Sequence, residues 1–114
     1  MEESVLKTIK QLLGLSADYA PFDEDIKVHI NMALATLRQI GVGAANFEVK
    51  SEVEKWVDVI GIDKDLASVK SFVYFKVRLA FDPPSTSFAI QAIEKQLEEL
   101  SFRLTVEGER ISNG

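Results

Sequence analysis

Apolar residues recur every three or four positions along most of this chain, which predicts a protein built from helices. The first helical segment is Val5–Leu13, with Ser4 suited to cap its start and Gly14 suited to the position past its end. A second segment begins in an acidic run and extends over about 23–40, because negative charge stabilises a helix start. Gly41 is expected to end it.

The middle of the chain has a different pattern. Residues 41–50 are rich in small side chains, which predicts a flexible loop. Within that loop, apolar and polar residues alternate from Phe47 to Lys50, which is typical of a short edge strand. Ser51 and Glu54 have the spacing of a capping box and predict a short helix that carries Trp56.

Two long helical patterns fill the second half of the chain, one over about 65–81 and one over about 87–106. They meet at Phe81-Asp82-Pro83-Pro84, where two successive prolines end a helix because they lack N–H donors and clash with the preceding turn. The hydroxyl side chains of Ser85-Thr86-Ser87 suit the cap of a new helix. We therefore predict a fixed corner between two helices.

These elements predict one all-α domain. We expect a small irregular bundle of about four main helices with a long, partly extended loop in the middle. The domain is expected to span residues 1–107 and a flexible tail residues 108–114, because the last segment is polar and contains glycine.

Composition and charge narrow the possible functions. The 114 residues carry 18 acidic and 13 basic side chains, a net charge of −5, and no cysteine. The absence of cysteine excludes disulfides and thiolate chemistry, and the acidic balance disfavours a protein that grips nucleic acid through its phosphates. The acidic start and the lack of a long apolar run predict neither a signal peptide nor a membrane span.

Residues able to support catalysis are present but are better explained structurally. His29 is the single histidine, and no metal-binding spacing accompanies it. Paired carboxylates occur at helix starts or on an expected solvated face: Asp23 with Asp25, Asp63 with Asp65, and Glu94 with Glu98. The hydroxyls before the last helix are caps, and Gly41-Val42-Gly43 is too short for a phosphate loop. We predict no catalytic residue, no metal site and no cofactor.

Aromatic residues are unusually dense on the third long helix. Phe72, Tyr74, Phe75 and Phe81 point in more directions than one buried face of a helix can hold. This density predicts either a helix enclosed on most sides or a surface that binds a partner. Arg78 lies four residues before Asp82, a spacing that suits an ion pair.

Several of these motifs together resemble the head–tail connector family of tailed bacteriophages. The most specific are Val69-Lys70, Tyr74, Lys76-Val77-Arg78-Leu79, Phe81-Asp82-Pro83-Pro84 and Ser87-Phe88. Weaker ones, useful in their order, are Leu13-Gly14, Gly41-Val42-Gly43, Trp56 with Asp58, and Glu99-Leu100 with Arg103-Leu104. The likeness extends from about Val5 to Glu107 and departs at Ser101-Phe102, where an aromatic residue is nevertheless kept.

The resemblance implies a helical adaptor without enzymatic activity. Such a protein sits at the head–tail interface of the virion, after assembly in the cytoplasm of the bacterial host. It forms a ring, as a dodecamer, beneath the portal protein and joins the head to a stopper or tail-completion protein. Phage DNA passes through the ring without sequence-specific binding, which suits an acidic protein, and no membrane is involved.

For subunit or portal contacts the sequence offers candidates on the two long helices and one in the tail: Tyr74, Phe75, Arg78, Phe88, Phe102 and Arg103 on the helices, and Arg110 in the tail. Candidate contacts on the middle loop are Gly41, Gly43 and Phe47. The corner at residues 81–84 is expected to determine shape rather than to make contacts. The alternative reading is a small helical interaction or regulatory module of a prophage, acting as a monomer or dimer.

Overall fold

The computed structural model describes residues 4–43, 47–60 and 66–113, and its regular elements there are helices. They are α1 (Val5–Leu12), α2 (Asp23–Gln39), α3 (Trp56–Ile60), α4 (Leu66–Phe81) and α5 (Ser87–Asn113). A single antiparallel bridge pairs Ser4 with Lys55, and no strand forms within the described ranges. The predicted all-α bundle is confirmed.

Helix α4 lies at the centre of the bundle and packs against α2, α5 and α1. Phe72, Val73 and Val77 of α4 are completely buried. Around them lie buried residues of the other helices: Val5, Leu6 and Ile9 of α1, Ile26, Ile30, Ala33, Leu34 and Leu37 of α2, and Leu97, Leu100 and Leu104 of α5. The apolar positions that recur at helical spacing therefore form one continuous core.

Helices α1 and α2 end in the same way, each with a glycine in the left-handed region. Gly14 has a φ of 88° and Gly41 a φ of 92°. After α2, the Gly41 N–H donates to the Arg38 carbonyl at 3.1 Å and the Val42 N–H to the Leu37 carbonyl at 2.8 Å. In both helices such a pair of hydrogen bonds satisfies carbonyls of the last turn. The two glycines therefore end their helices as the sequence predicts.

The start of α1 is fastened to the segment around α3. The Val5 N–H donates to the Glu54 carbonyl at 3.0 Å, and Trp56 Nε1 donates to Thr8 Oγ1 at 3.1 Å. Trp56 is buried, and Lys70 Nζ of α4 lies 5.9 Å from the centre of its ring. One aromatic side chain thus joins three helices, with its polar N–H satisfied.

A buried lysine links α1 to the start of α2. Lys10 is only 1% exposed, and its Nζ lies 2.9 Å from Asp23 Oδ1 and donates to the Ala17 carbonyl at 2.9 Å. A buried ammonium is costly unless it is paired and hydrogen-bonded, and here both conditions hold. The pair fixes the loop between the first two helices, a role that the sequence pattern did not reveal.

The loop expected to form an edge strand instead lies against α2. Residues 47–50 form no strand, so that prediction is wrong. The Asn31 side chain donates to the Val49 carbonyl at 2.9 Å and accepts from the Val49 N–H at 2.8 Å. Arg38 Nη1 donates to the Phe47 carbonyl at 3.1 Å and Lys27 Nζ to the Lys50 carbonyl at 3.0 Å. Side chains of one helix replace the missing partner strand.

Only one half of the predicted capping box forms, and it does not start a helix. Glu54 Oε1 accepts from the Ser51 N–H at 3.0 Å and from its hydroxyl at 3.3 Å, which makes a compact turn. Helix α3 begins later, at Trp56, where Asp58 Oδ2 accepts from the Lys55 N–H at 3.1 Å. Burial raises the pKa of Glu54, but hydrogen bonds from backbone N–H groups and from Ser51 outweigh it, so this pKa lies below its usual value of 4.5.

Helix α5 is longer than predicted. The sequence predicts an end of this helix near Val106, yet α5 continues to Asn113, so the predicted helix end is wrong. One glycine costs a helix only about 1 kcal/mol, which neighbouring helix-forming residues offset. The expected start of α4 at Asp65 lies outside the described residues, as does the pair it forms with Asp63. The division into one domain and a flexible tail stays a prediction.

Breaking the buried ion pair should destabilise the fold. We expect Asp23→Asn to lower the free energy of unfolding by about 2–4 kcal/mol, because it leaves the Lys10 ammonium buried without its counter-charge. Adding Lys10→Met should restore much of the loss. Urea denaturation of the single and double variants measures both effects. Glu24→Gln is the control, because the Glu24 side chain that pairs with Lys27 is 89% exposed, and it should cost less than about 0.5 kcal/mol. An equal loss there would contradict the prediction.

The lowered pKa of Glu54 gives a pH-dependent contribution to stability. The ionised side chain stabilises the fold above its unfolded pKa, and this contribution disappears as the pH falls through the lower folded pKa. Glu54→Gln should therefore cost about 1 kcal/mol at pH 7 and progressively less below pH 4.5. Urea denaturation from pH 7 to pH 3 measures this, with Glu52→Gln as an exposed control. A loss for Glu54→Gln that does not change with pH would contradict the assignment.

Candidate interaction surface

The corner begins where an arginine closes the end of α4. The Asp82 N–H donates to the Arg78 carbonyl at 3.0 Å. The Arg78 guanidinium donates from Nε to the Asp82 carbonyl at 2.6 Å and from Nη1 to the Tyr74 hydroxyl at 3.2 Å. The expected pairing of Arg78 with Asp82 thus takes place at the backbone carbonyl, and it satisfies an acceptor that the helix end leaves open.

The other side of the corner is a helix start. Thr86 Oγ1 accepts from the Ala89 N–H at 3.1 Å, and the Thr86 carbonyl accepts from the Ile90 N–H at 3.1 Å. Thr86 is therefore the hydroxyl residue that caps α5, as the sequence predicted for this group. Between the two helices Pro83 and Pro84 form no helical turn.

Three aromatic rings, one of them from the corner itself, pack together beside the corner. The Phe81 ring lies 5.3 Å from that of Phe22, edge to face, and the Phe22 ring lies 5.7 Å from that of Tyr19. Tyr19 and Phe22 come from the loop between α1 and α2 and are 45% and 39% exposed. The cluster joins the corner to the loop between α1 and α2. The only sequence signal for this cluster is that Tyr19 and Phe22 lie close to Pro21 in one loop.

The outer face of α5 carries the two most exposed phenylalanines. Phe88 is 82% and Phe102 is 74% exposed, whereas the opposite face of the same helix is buried through Leu97, Leu100 and Leu104. Fourteen residues separate the two rings, which places them about 21 Å apart along one side of the helix. Exposed aromatic side chains are enriched at surfaces that bind other proteins, so both residues stay candidates for a partner contact. The structure thus places both predicted residues on one face.

The remaining candidates on the long helices lie elsewhere. Tyr74 and Phe75 are half-buried on α4, with ring centres 5.3 Å apart, and both pack against the core. Arg103 Nη1 donates to Ser68 Oγ at 3.3 Å and so joins α5 to α4. Arg110 lies on α5, but its side chain is outside the described residues. Tyr74 and Phe75 therefore do not share the open face of α5.

The loop candidates lie near α2. Gly43 has a φ of 100°, and a Cβ added there would lie 3.4 Å from the Val59 carbonyl. Gly41 ends α2, and the half-buried Phe47 is tied through its carbonyl to Arg38. Gly41 and Phe47 therefore have a role in the fold. Contact with a partner stays a prediction for all three loop candidates.

The described residues contain no group of three or more His, Cys, Asp or Glu side chains that could hold a metal ion. His29 lines an open groove of about 170 Å³ between α2 and α4, together with Met32, Thr36 and Lys76, and no carboxylate or second histidine faces it there. None of the helices described, over 4–43, 47–60 and 66–113, is long and apolar enough to cross a membrane.

The described residues form a small helical protein with large apolar side chains exposed on its surface. The family model for phage connector proteins matches residues 5–110. The chain therefore belongs to the phage connector protein family, as the sequence motifs indicated, and this membership indicates a structural role between phage head and tail. Neither the curated proteins nor the solved structures contain a significant match.

The contacts of Arg78 should make a measurable contribution to stability. We expect Arg78→Met to lower the free energy of unfolding by about 1.5–3 kcal/mol, because the Asp82 carbonyl loses a charged donor and the Tyr74 hydroxyl loses its partner. Lys7→Met, on the exposed face of α1, removes the same charge and is the control, with an expected change below about 0.5 kcal/mol. Thermal and urea denaturation compare the two; equal losses would show that Arg78 does not hold the corner.

Proposed function

We propose that this protein is the adaptor of a phage head–tail connector. Many copies form a ring, a dodecamer when assembled, beneath the portal protein at the head–tail interface of the virion. The opposite face of the ring receives a stopper or tail-completion protein. The observation that carries the proposal is the exposed outer face of α5 in a member of the phage connector family.

A ring of identical subunits requires two different contact surfaces on each copy. Two of the places where the described residues expose apolar side chains are candidates for these surfaces. One is the outer face of α5, with Phe88 and Phe102, and the other is the exposed side of α2, where Val28 and Met32 are 55% and 63% exposed. Such residues lose contact with water when a neighbour covers them, which supplies the driving force for assembly.

The corner would set the angle at which α5 projects from the bundle. Its geometry rests on the Arg78 contacts, the Thr86 cap and the contact of Phe81 with Phe22, and none of these requires a partner. Residues 81–84 therefore act on shape, and the contacts come from the helices on each side. In the proposed ring this fixed angle would give every copy the same orientation.

The charge of the chain suits a channel through which DNA moves. A net charge of −5 repels phosphates, so DNA passing through the ring would slide without sequence-specific binding. We assign the protein no enzymatic activity and no cofactor. Assembly would take place in the cytoplasm of the bacterial host.

Removal of the two exposed rings tests the proposal. We expect Phe88→Ser with Phe102→Ser to reduce ring formation on the portal by at least about tenfold, since each buried aromatic contact contributes more than 1 kcal/mol to an interface. Electron microscopy and sedimentation of the protein mixed with its portal measure the ring. The fold should be unaffected, because both side chains lie in water.

Val53→Ser is the matched control, because Val53 is 72% exposed but lies far from α5 in the chain. It should leave ring formation unchanged. A wild-type protein that stays monomeric or dimeric with saturating portal would refute the adaptor function and favour the prophage interaction module. Undiminished rings in the double phenylalanine variant would leave the adaptor function standing and exclude the α5 face from the contact.

A further inference from the structure

The exposed face of α5 has a pattern that is complementary to itself. Six exposed residues follow one another at spacings of four and three along this face: Phe88, Ala92, Lys95, Glu99, Phe102 and Val106. At 3.6 residues per turn, they all lie within about 40° of one direction. This direction is opposite to the buried side, which carries Leu97, Leu100 and Leu104. We call these six residues the outer stripe.

Two copies of the outer stripe can be placed antiparallel, with position 97 of each copy at the two-fold axis. In this register every residue of the stripe lies opposite a residue that suits it. Lys95 faces Glu99 of the other copy, and the symmetry repeats this pair. Phe88 faces Val106 in the same register, and Ala92 faces Phe102. Opposite charges therefore lie at the centre and apolar contacts at both ends. In a parallel arrangement, Lys95 would meet Lys95 and Glu99 would meet Glu99, which is unfavourable.

The central charges are available for such a contact. Lys95 and Glu99 are exposed, and neither forms an ion pair among the residues that the structure describes. One charge is unfavourable: Glu98 lies beside the stripe and close to the two-fold axis, so two Glu98 carboxylates would face each other. This repulsion and the narrowness of the stripe make the contact weak, at the low end of interface sizes.

We propose that the free protein forms a two-fold dimer through the outer stripe, with the two α5 helices antiparallel. A two-fold contact uses the same patch on both copies and closes on itself, whereas a ring requires two different patches. The dimer therefore covers Phe88 and Phe102 in the unassembled protein. The dimer is proposed for the free protein and does not involve the portal. Its consequence rests on the proposed function: the dimer must open before its subunits enter a ring.

Charge variants at the centre of the stripe test the dimer without any portal. Sedimentation equilibrium should show wild-type protein passing from monomer to dimer as its concentration rises. Glu99→Lys should weaken dimerisation by about tenfold, because both central pairs become repulsive. Lys95→Glu should do the same. An equimolar mixture of these two single variants should recover dimers, since each Lys then faces a Glu of the other variant.

Two further variants serve as controls. Glu94→Lys makes the same change in charge on α5 but lies about 120° away from the outer stripe, so it should leave dimerisation unchanged. Glu98→Gln should strengthen it by a few-fold, because it removes the repulsion at the axis. A protein that is monomeric at several hundred micromolar would overturn the proposal. So would a mixture of the single variants that fails to dimerise, or a Glu94→Lys effect equal to that of Glu99→Lys.

Discussion

The enclosure of α4 is the constraint on which the rest of the structure depends. Phe72, Val73 and Val77 lie at the centre of the core, and helices α1, α2 and α5 each cover part of the surface around them. A helix that is apolar on most sides loses its stability in water unless neighbours surround it. The buried Lys10–Asp23 pair and the Trp56 contacts then fix how those neighbours are arranged.

The corner after α4 sets the direction of the last helix, one face of which lies in water. One face of α5 packs against the core, and the other face, with Phe88 and Phe102, lies in water. The corner is stabilised within the chain by Arg78, Thr86 and the Phe22–Phe81 contact, so α5 has its orientation before any partner arrives. A helix face that is ordered before binding loses little conformational entropy when a partner covers it, which would favour the assembly that we propose.

Prediction from the sequence was most accurate where a local signal acts by itself. The helices with strong periodicity, the glycine stops after α1 and α2 and the threonine cap at α5 were all predictable, because each depends on residues close in the chain. The absence of a strand at 47–50 and the end of α5 could not be predicted in this way. The first is decided by Asn31 and Arg38, which are distant in sequence, and the second by the tolerance of a long helix for one glycine.

The sequence by itself determined the helical class, the corner and the family, because apolar spacing, paired prolines and ordered motifs are local properties of the chain. Only the tertiary structure decided which candidate residues share a surface. It buried Lys10, brought Phe22 against Phe81, and left Phe88 and Phe102 on one open face while Tyr74 and Phe75 packed inward. Exposure depends on what the rest of the chain covers, and that follows only once all five helices have packed.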